Sequence, residues 1–294
     1  MRSGTPLWLT IAPFLFLFLW SAGYPVAKVG LRHAEPMTLL VLRLGIVFVV
    51  MAILFLILRP QVPKSRNAWL HLTFVGFLIQ AVYFGLSYLA FHAGIAAGTV
   101  ALIMSLQPIL IALAAPKWNG EAISRRSWIG LGLGLLGTAV VIISRLEIEP
   151  PSLFGFVCAA LALMGITTGS LWEKRFGVTY HPVTANLVGF GVGVVCIAPA
   201  MLALETMQVR WNLEFTLALA YLVIGNSVIA VGLLLAMIRS GDVSRVSALL
   251  FMVPPLAALL AWLLLDEAMP PLAWAGMAVA AAGVWMVQAR REAS

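Results

Sequence analysis

Several side chains able to make directed hydrogen bonds lie inside stretches that are otherwise continuously apolar. The segment Leu19–Lys28, LWSAGYPVAK, sets Trp20, Ser21, Tyr24 and Lys28 three or four residues apart, so they share one helical face. Gln80, Tyr83 and Ser87 repeat the pattern further along, with Tyr88 predicted to lie off that face. Met104 and Gln107 precede Pro108, Thr167, Thr168 and Trp172 close another apolar run, and Asn226 and Ser227 sit in the middle of one. Hydroxyls, amides and aromatic rings in this setting are groups that recognise a solute or join helices; they do not make or break its bonds.

Groups for catalysis are missing from the pattern. No nucleophile stands at a spacing from a base, no phosphate-binding loop is present, and the four histidines have no metal-ligand spacing. Cys158 and Cys196 both fall in apolar runs and read as small buried hydrophobes. Neither an enzyme, a metal nor a cofactor is expected. Arg43 is the basic residue well inside an apolar run. A guanidinium at that depth costs about 2.5–3.5 kcal/mol on insertion scales. Either it meets a substrate carboxylate or its long stem snorkels to the interface.

The stretches that carry these residues define the fold class. The chain is 62% apolar and 10% charged, with a mean hydropathy of +1.04. A soluble domain of this length has nowhere to put so much apolar surface. Lipid is its solvent, so the net charge of +7 belongs to loops at a membrane surface and does not indicate nucleic acid. Ten apolar spans are predicted, at about 7–29, 36–58, 68–91, 98–116, 127–144, 152–173, 182–204, 214–237, 244–265 and 271–288. The first is read as a transmembrane helix and not a signal peptide, because its apolar run continues past Ala22 to Gly30. Thirteen of the 18 Lys and Arg residues fall on the side of the termini, against Lys28, Arg32, Arg145 and Arg210 opposite. By the positive-inside rule both termini are cytoplasmic, in a multi-pass protein of the cytoplasmic (inner) membrane.

The chain also repeats itself. An ungapped shift of 146 residues lays Pro108 on Pro254, Glu121 on Glu267, Trp128 on Trp274, Gly130 on Gly276 and Gly137 on Gly283. The same shift lays Lys28 on Lys174, Pro36 on Pro182 and Thr38 on Thr184. The chain is therefore two repeats of five spans, 1–146 and 147–294. Five being odd, the second enters the membrane in the opposite sense, as secondary transporters do. Glu121 and Glu267 then sit at water-facing helix ends on opposite sides. Pro25, Pro108, Pro254 and Pro255 are predicted kinks within spans, and joints for movement.

LWSAGYPVAK, the span with a central proline, the glutamate thirteen residues on and the glycine-rich fifth span together resemble the EamA family of the drug/metabolite transporter superfamily. The resemblance covers the whole chain, twice. It implies an all-α integral membrane protein with ten transmembrane helices in two inverted repeats around a central cavity, exporting small metabolites by alternating access. Amino acids are the first substrate class, because aromatics, methionines and neutral polar groups suit zwitterionic solutes. The predicted contacts are Trp20, Tyr24, Arg43, Gln80, Tyr83, Ser87, Met104, Gln107, Thr168, Trp172 and Asn226. The alternatives are a multidrug or quaternary-amine exporter, which should show a buried acidic residue, and a non-transporting scaffold or receptor. Every acidic residue lies near a span end, which favours facilitated or weakly coupled movement over proton pumping.

Overall fold

The computed structural model describes residues 7–119, 125–145, 152–176, 181–233, 252–267 and 269–288. Within them the regular elements are helices. The helices are α1 (Leu7–Leu31), α2 (Pro36–Leu58), α3 (Arg66–His92), α4 (Ala97–Met104) and α5 (Gln107–Asn119). They continue with α6 (Arg125–Arg145), α7 (Leu153–Phe176), α8 (Pro182–Leu204), α9 (Leu213–Leu233), α10 (Val253–Leu265) and α11 (Pro271–Gln288). Six of these, α1 from Ile11 on, α2, α3, α7 up to Glu173, α8 and α9, are long and apolar enough to cross a membrane, and four further apolar helices are shorter. Large apolar side chains such as Leu56, Ile57, Val195 and Leu204 stay exposed, as lipid contact requires. The end of the eighth predicted span, the start of the ninth, and Glu121 lie outside the described residues.

Helix starts follow local chemistry. Proline opens α2 and α8 at the first turn, where its missing N–H leaves nothing unsatisfied. Ser65 caps α3 by accepting from Ala68 N, and Asn212 caps α9 by accepting from Phe215 N. The predicted fourth span differs from expectation. It is two helices, α4 and α5, parted at Ser105–Leu106. Pro108 cannot donate and its ring would crowd the carbonyl of Met104, so the helix stops and restarts with Pro108 in the new first turn. The Ser105 hydroxyl donates to Leu102 O at 2.6 Å, which closes the end of α4. Pro254 and Pro255 likewise occupy the first turn of α10. These three prolines begin helices instead of bending them; Pro25 alone of the predicted kinks is inside a helix.

Two compact units emerge, and each draws on both halves of the sequence. One comprises Met1–Val26, Ala96–Pro150 and Ile224–Ser294; the other comprises Ala27–Ile95 and Pro151–Val223. In the first unit α6 packs on α11 through a seam of small residues. Gly283 meets Gly130 and Gly134, while Gly137 meets Gly276 and Ala280. Contacts that rise along one helix fall along the other, so the pair is antiparallel. The seam also pairs residues crosswise under the shift of 146, since Gly130 corresponds to Gly276 and Gly137 to Gly283. Leu102, Val141, Ala258, Ala273, Met277 and Ala280 form a core beside it. In the second unit α2 and α8 are also antiparallel: Thr38 meets Glu205, Phe48 meets Gly191, and Gln61 meets Thr184.

Candidate functional site

Within the first unit, Asn226 is the polar side chain with the clearest placement. It is buried, and its Nδ2 donates to Leu19 O of α1 at 3.1 Å. Gly23 makes that approach possible: a Cβ there would stand 2.5 Å from Asn226 Nδ2. Gly23→Ala is therefore expected to displace the amide and weaken the α1–α9 contact, lowering the unfolding midpoint in detergent. The sign is checked by a thermal melt beside Gly232→Ala, where nothing lies within 4 Å. Ser21 is fully buried one turn away, with its hydroxyl unpartnered. Trp20 packs partly buried against Phe16, their ring centroids 5.5 Å apart, and Tyr24 is half-buried. Met104 is buried at the end of α4, and Gln107 is half-buried at the start of α5.

Glu267 departs from expectation. It is 8% exposed, and its Oε2 accepts from Ala97 N at 3.0 Å. The carboxylate therefore caps the N-terminus of α4, where the helix dipole and bare N–H groups favour a negative charge. It is a buried structural acid and not a water-facing one.

Within the second unit the polar interior is built on α3. Its middle, Phe77–Phe84, is π-helical, and so is Tyr221–Ala230 in α9. Under the shift of 146, Phe84 falls on Ala230 and Gln80 on Asn226, so each π segment carries one buried carboxamide at the same place. Ser21 and Thr167 correspond in the same way. The repeat held this signal, and sequence reasoning passed over it.

The wider π turn rephases the residues after it. In a regular helix position i+8 has drifted about a quarter of a turn from i. Here Phe84 and Tyr88 both meet α2, while Gln80 lies against Gly193 of α8: Arg43 Nη1 donates to the Tyr88 hydroxyl at 3.0 Å, and the Arg43 guanidinium sits 4.6 Å from the Phe84 ring centroid. Tyr88, predicted off the face of Gln80, Tyr83 and Ser87, is turned toward Arg43 of α2. Arg43 is 3% exposed and turned inward, so it does not snorkel. Tyr83 and Ser87 are buried on the same helix.

Among the described residues, the buried side-chain atoms without a hydrogen-bond partner are Ser21 Oγ, Gln80 Oε1, Ser87 Oγ and Thr167 Oγ1. Buried polar atoms are almost always paired, and each exception costs about 1–3 kcal/mol, so an exception calls for a reason. Thr167 is buried where its neighbour Thr168 is half-buried. Trp172 keeps other company than a polar interior. Its Nε1 donates to His71 Nδ1 at 3.2 Å, and Phe74 packs on it edge-on and Phe176 at a tilt, each with ring centroids 4.6 Å away. Phe74 and Phe176 are exposed, as ring side chains of a membrane–water boundary are.

The far end of this unit carries a reciprocal clasp. Glu205 accepts from Met37 N, Thr38 N and the Thr38 hydroxyl, each at 2.7 Å. Glu35 accepts from Thr206 N, the Thr206 hydroxyl and Met207 N at 2.7–3.0 Å. A β-bridge joins Ala34 to Val209, and His33 meets Glu214 at 2.8 Å. No group of three or more His, Cys, Asp or Glu among the described residues could hold a metal ion.

An all-helical chain with several membrane-crossing segments and neutral, unpartnered polar groups in its interior belongs to the class of polytopic membrane transporters. The chain is a member of the EamA-like transporter family, whose profile matches it twice, over residues 7–143 and 153–288. It is similar to the inner membrane transporter YedA of Escherichia coli, with 23% identity over 98% of this chain and 92% of that one. A probable amino-acid metabolite efflux pump of the same organism shares 24% over 94% and 93%. A probable terminal-alkyne amino-acid exporter of Streptantibioticus cattleyicolor shares 24% over 100% and 98%. A solved crystal structure superposes with a TM-score of 0.67 at 21% identity, over 97% and 99%, which establishes the fold. The protein is thus a membrane transporter of small solutes, and not an enzyme.

Proposed function

We propose that the protein exports small zwitterionic metabolites, amino acids first among them, across the cytoplasmic membrane. The carrying observation is the set of buried, unpartnered hydroxyl and carboxamide atoms at Gln80, Ser87 and Thr167 of the second unit, which are neutral groups suited to a polar but uncharged-overall solute. The relatives' names, two of which specify amino-acid export, support the same class. Tyr83 and Thr168 of the same unit complete the proposed contacts.

Residues 1–146 and 147–294 act as two inverted five-helix repeats, and export proceeds by alternating access. The antiparallel, crosswise pairing of α6 with α11 and of α2 with α8 supports this reading, because corresponding helices of inverted repeats must run in opposite senses. Pro25 and the break before Pro108 serve as joints, and both termini face the cytoplasm.

Proteoliposomes loaded in turn with radiolabelled amino acids and amines test it. At least one amino acid is expected to cross faster than in empty vesicles, and Gln80→Ala is expected to slow it about tenfold, the equivalent of one solute hydrogen bond. The reading fails if no solute beats the empty-vesicle rate.

A further inference from the structure

A π segment is rare and survives only where tertiary contacts hold it. Glycines line part of the bed beneath Phe77–Phe84. Gly165 and Gly169 of α7 lie against Leu78, Ile79 and Val82, and Gly193 of α8 lies against Gln80. Just upstream, Gly76 touches Gly189 backbone to backbone, a Cβ at Gly76 standing 2.8 Å from Gly189 Cα. Glycines raise no ridges, so at these contacts side-chain interlock holds the rotation of α3 less firmly. A directed contact can hold the register there.

Arg43 is placed to do so. Upstream of the π turn, Gln80 is seated on Gly193 of α8. Downstream, Tyr88 is bound by Arg43, and Phe84 lies under the same guanidinium. If Phe77–Phe84 relaxed to α geometry with Gln80 held, Tyr88 would swing about a quarter of a turn and lose Arg43. The Arg43–Tyr88 hydrogen bond and the π register therefore require each other. Tyr88 is only 1% exposed, so the bond is made in a dry interior, where its loss is felt in full. At the position corresponding to Arg43 the second half carries Gly189, so the second π segment lacks a counterpart of Arg43; there Asn226 itself binds the Leu19 carbonyl.

We propose that Arg43 is a positioning residue of the transport machinery. It clamps α3 in the register that keeps Gln80 and Ser87 turned inward, and it does not itself bind the solute. The role of Gln80 and Ser87 rests on the function proposed above, whereas the clamp stands on the geometry of α3.

Two readouts on the full-length protein separate these layers. Hydrogen–deuterium exchange of the amides in Gly85–His92 is followed in wild type, Tyr88→Phe, Arg43→Met and Arg43→Lys. Proteoliposome flux is measured for the same proteins over a concentration series of the radiolabelled proteinogenic L-amino acids. Tyr88→Phe and Arg43→Met are expected to speed exchange about tenfold, as a locally released helix does. They should lower the maximal rate several-fold and leave half-saturation unchanged. Arg43→Lys should rescue only in part, because a point cation cannot match the planar fork. Unaltered exchange in Tyr88→Phe, which removes one oxygen and should fold, overturns the clamp. A raised half-saturation confined to the Arg43 variants, with Tyr88→Phe like wild type, overturns it in favour of a carboxylate contact. Absence of flux in wild type sinks the transport reading instead, and faster exchange would still establish the clamp.

Discussion

Replacing Gly283 by valine is expected to abolish most folded protein, while the same change at Gly132 leaves it intact. A Cβ at 283 would stand 2.5 Å from Gly130 O and 2.7 Å from Gly134 N, both of them backbone atoms that cannot swing aside. The two helices would have to separate, and α6 and α11 would lose the close approach on which small-residue packing in a bilayer depends. Overpacking a well-filled interior costs about 1–3 kcal/mol, and displacing a whole helix lies at or above the top of that range. Gly132 is exposed and a Cβ there has nothing within 4 Å. Size-exclusion profiles and thermal melts in detergent would read the contrast. If Gly283→Val melts like wild type, the seam is not what holds α6 to α11.

Glu205→Ala is the second large effect. Its two oxygens accept three hydrogen bonds from the first turn of α2, and alanine leaves two backbone N–H groups bare at a helix start. Glu205 is only partly buried, so water makes up some of the loss, and about 2 kcal/mol of destabilisation is expected. Glu35 performs the same service in the opposite direction, for Thr206 and Met207. Because the two carboxylates hold the same pair of loops together, their effects should not add. A double-mutant cycle of Glu35→Gln and Glu205→Gln, read by chemical or thermal unfolding, should show a coupling of about 0.5–1 kcal/mol or more. Strict additivity would mean that the two halves of the clasp are independent.

What the sequence discloses and what it hides divide along a physical line. Spans are written in local composition, since a bilayer demands unbroken apolar runs, and α2 begins and ends at the predicted residues 36 and 58. The glycine-rich fifth span was visible in composition as well. The phase of Tyr88 was not, because a period of 3.6 was assumed through a segment whose π geometry is imposed by what it packs against. Glu267 was read from its place near a span end, but its burial depends on Ala97, 170 residues away. Trp172 has the type and spacing of a solute contact, yet His71 and Phe74, distant in sequence, draw it into an aromatic cluster. Pro108 was legible as an interruption. Whether it would bend one helix or begin another was decided by the turn at Ser105–Leu106.

The glycine seam between α6 and α11 also has a consequence in time. The ribosome finishes Arg145 long before it reaches Pro271, and at about 5–20 residues per second the partner helix arrives many seconds later. Through that interval the glycine face of α6 lies against lipid, with nothing of its own shape to receive it. The seam therefore closes only once α11 has been made, and a chain interrupted before α11 carries an open face that a membrane protease or chaperone can read.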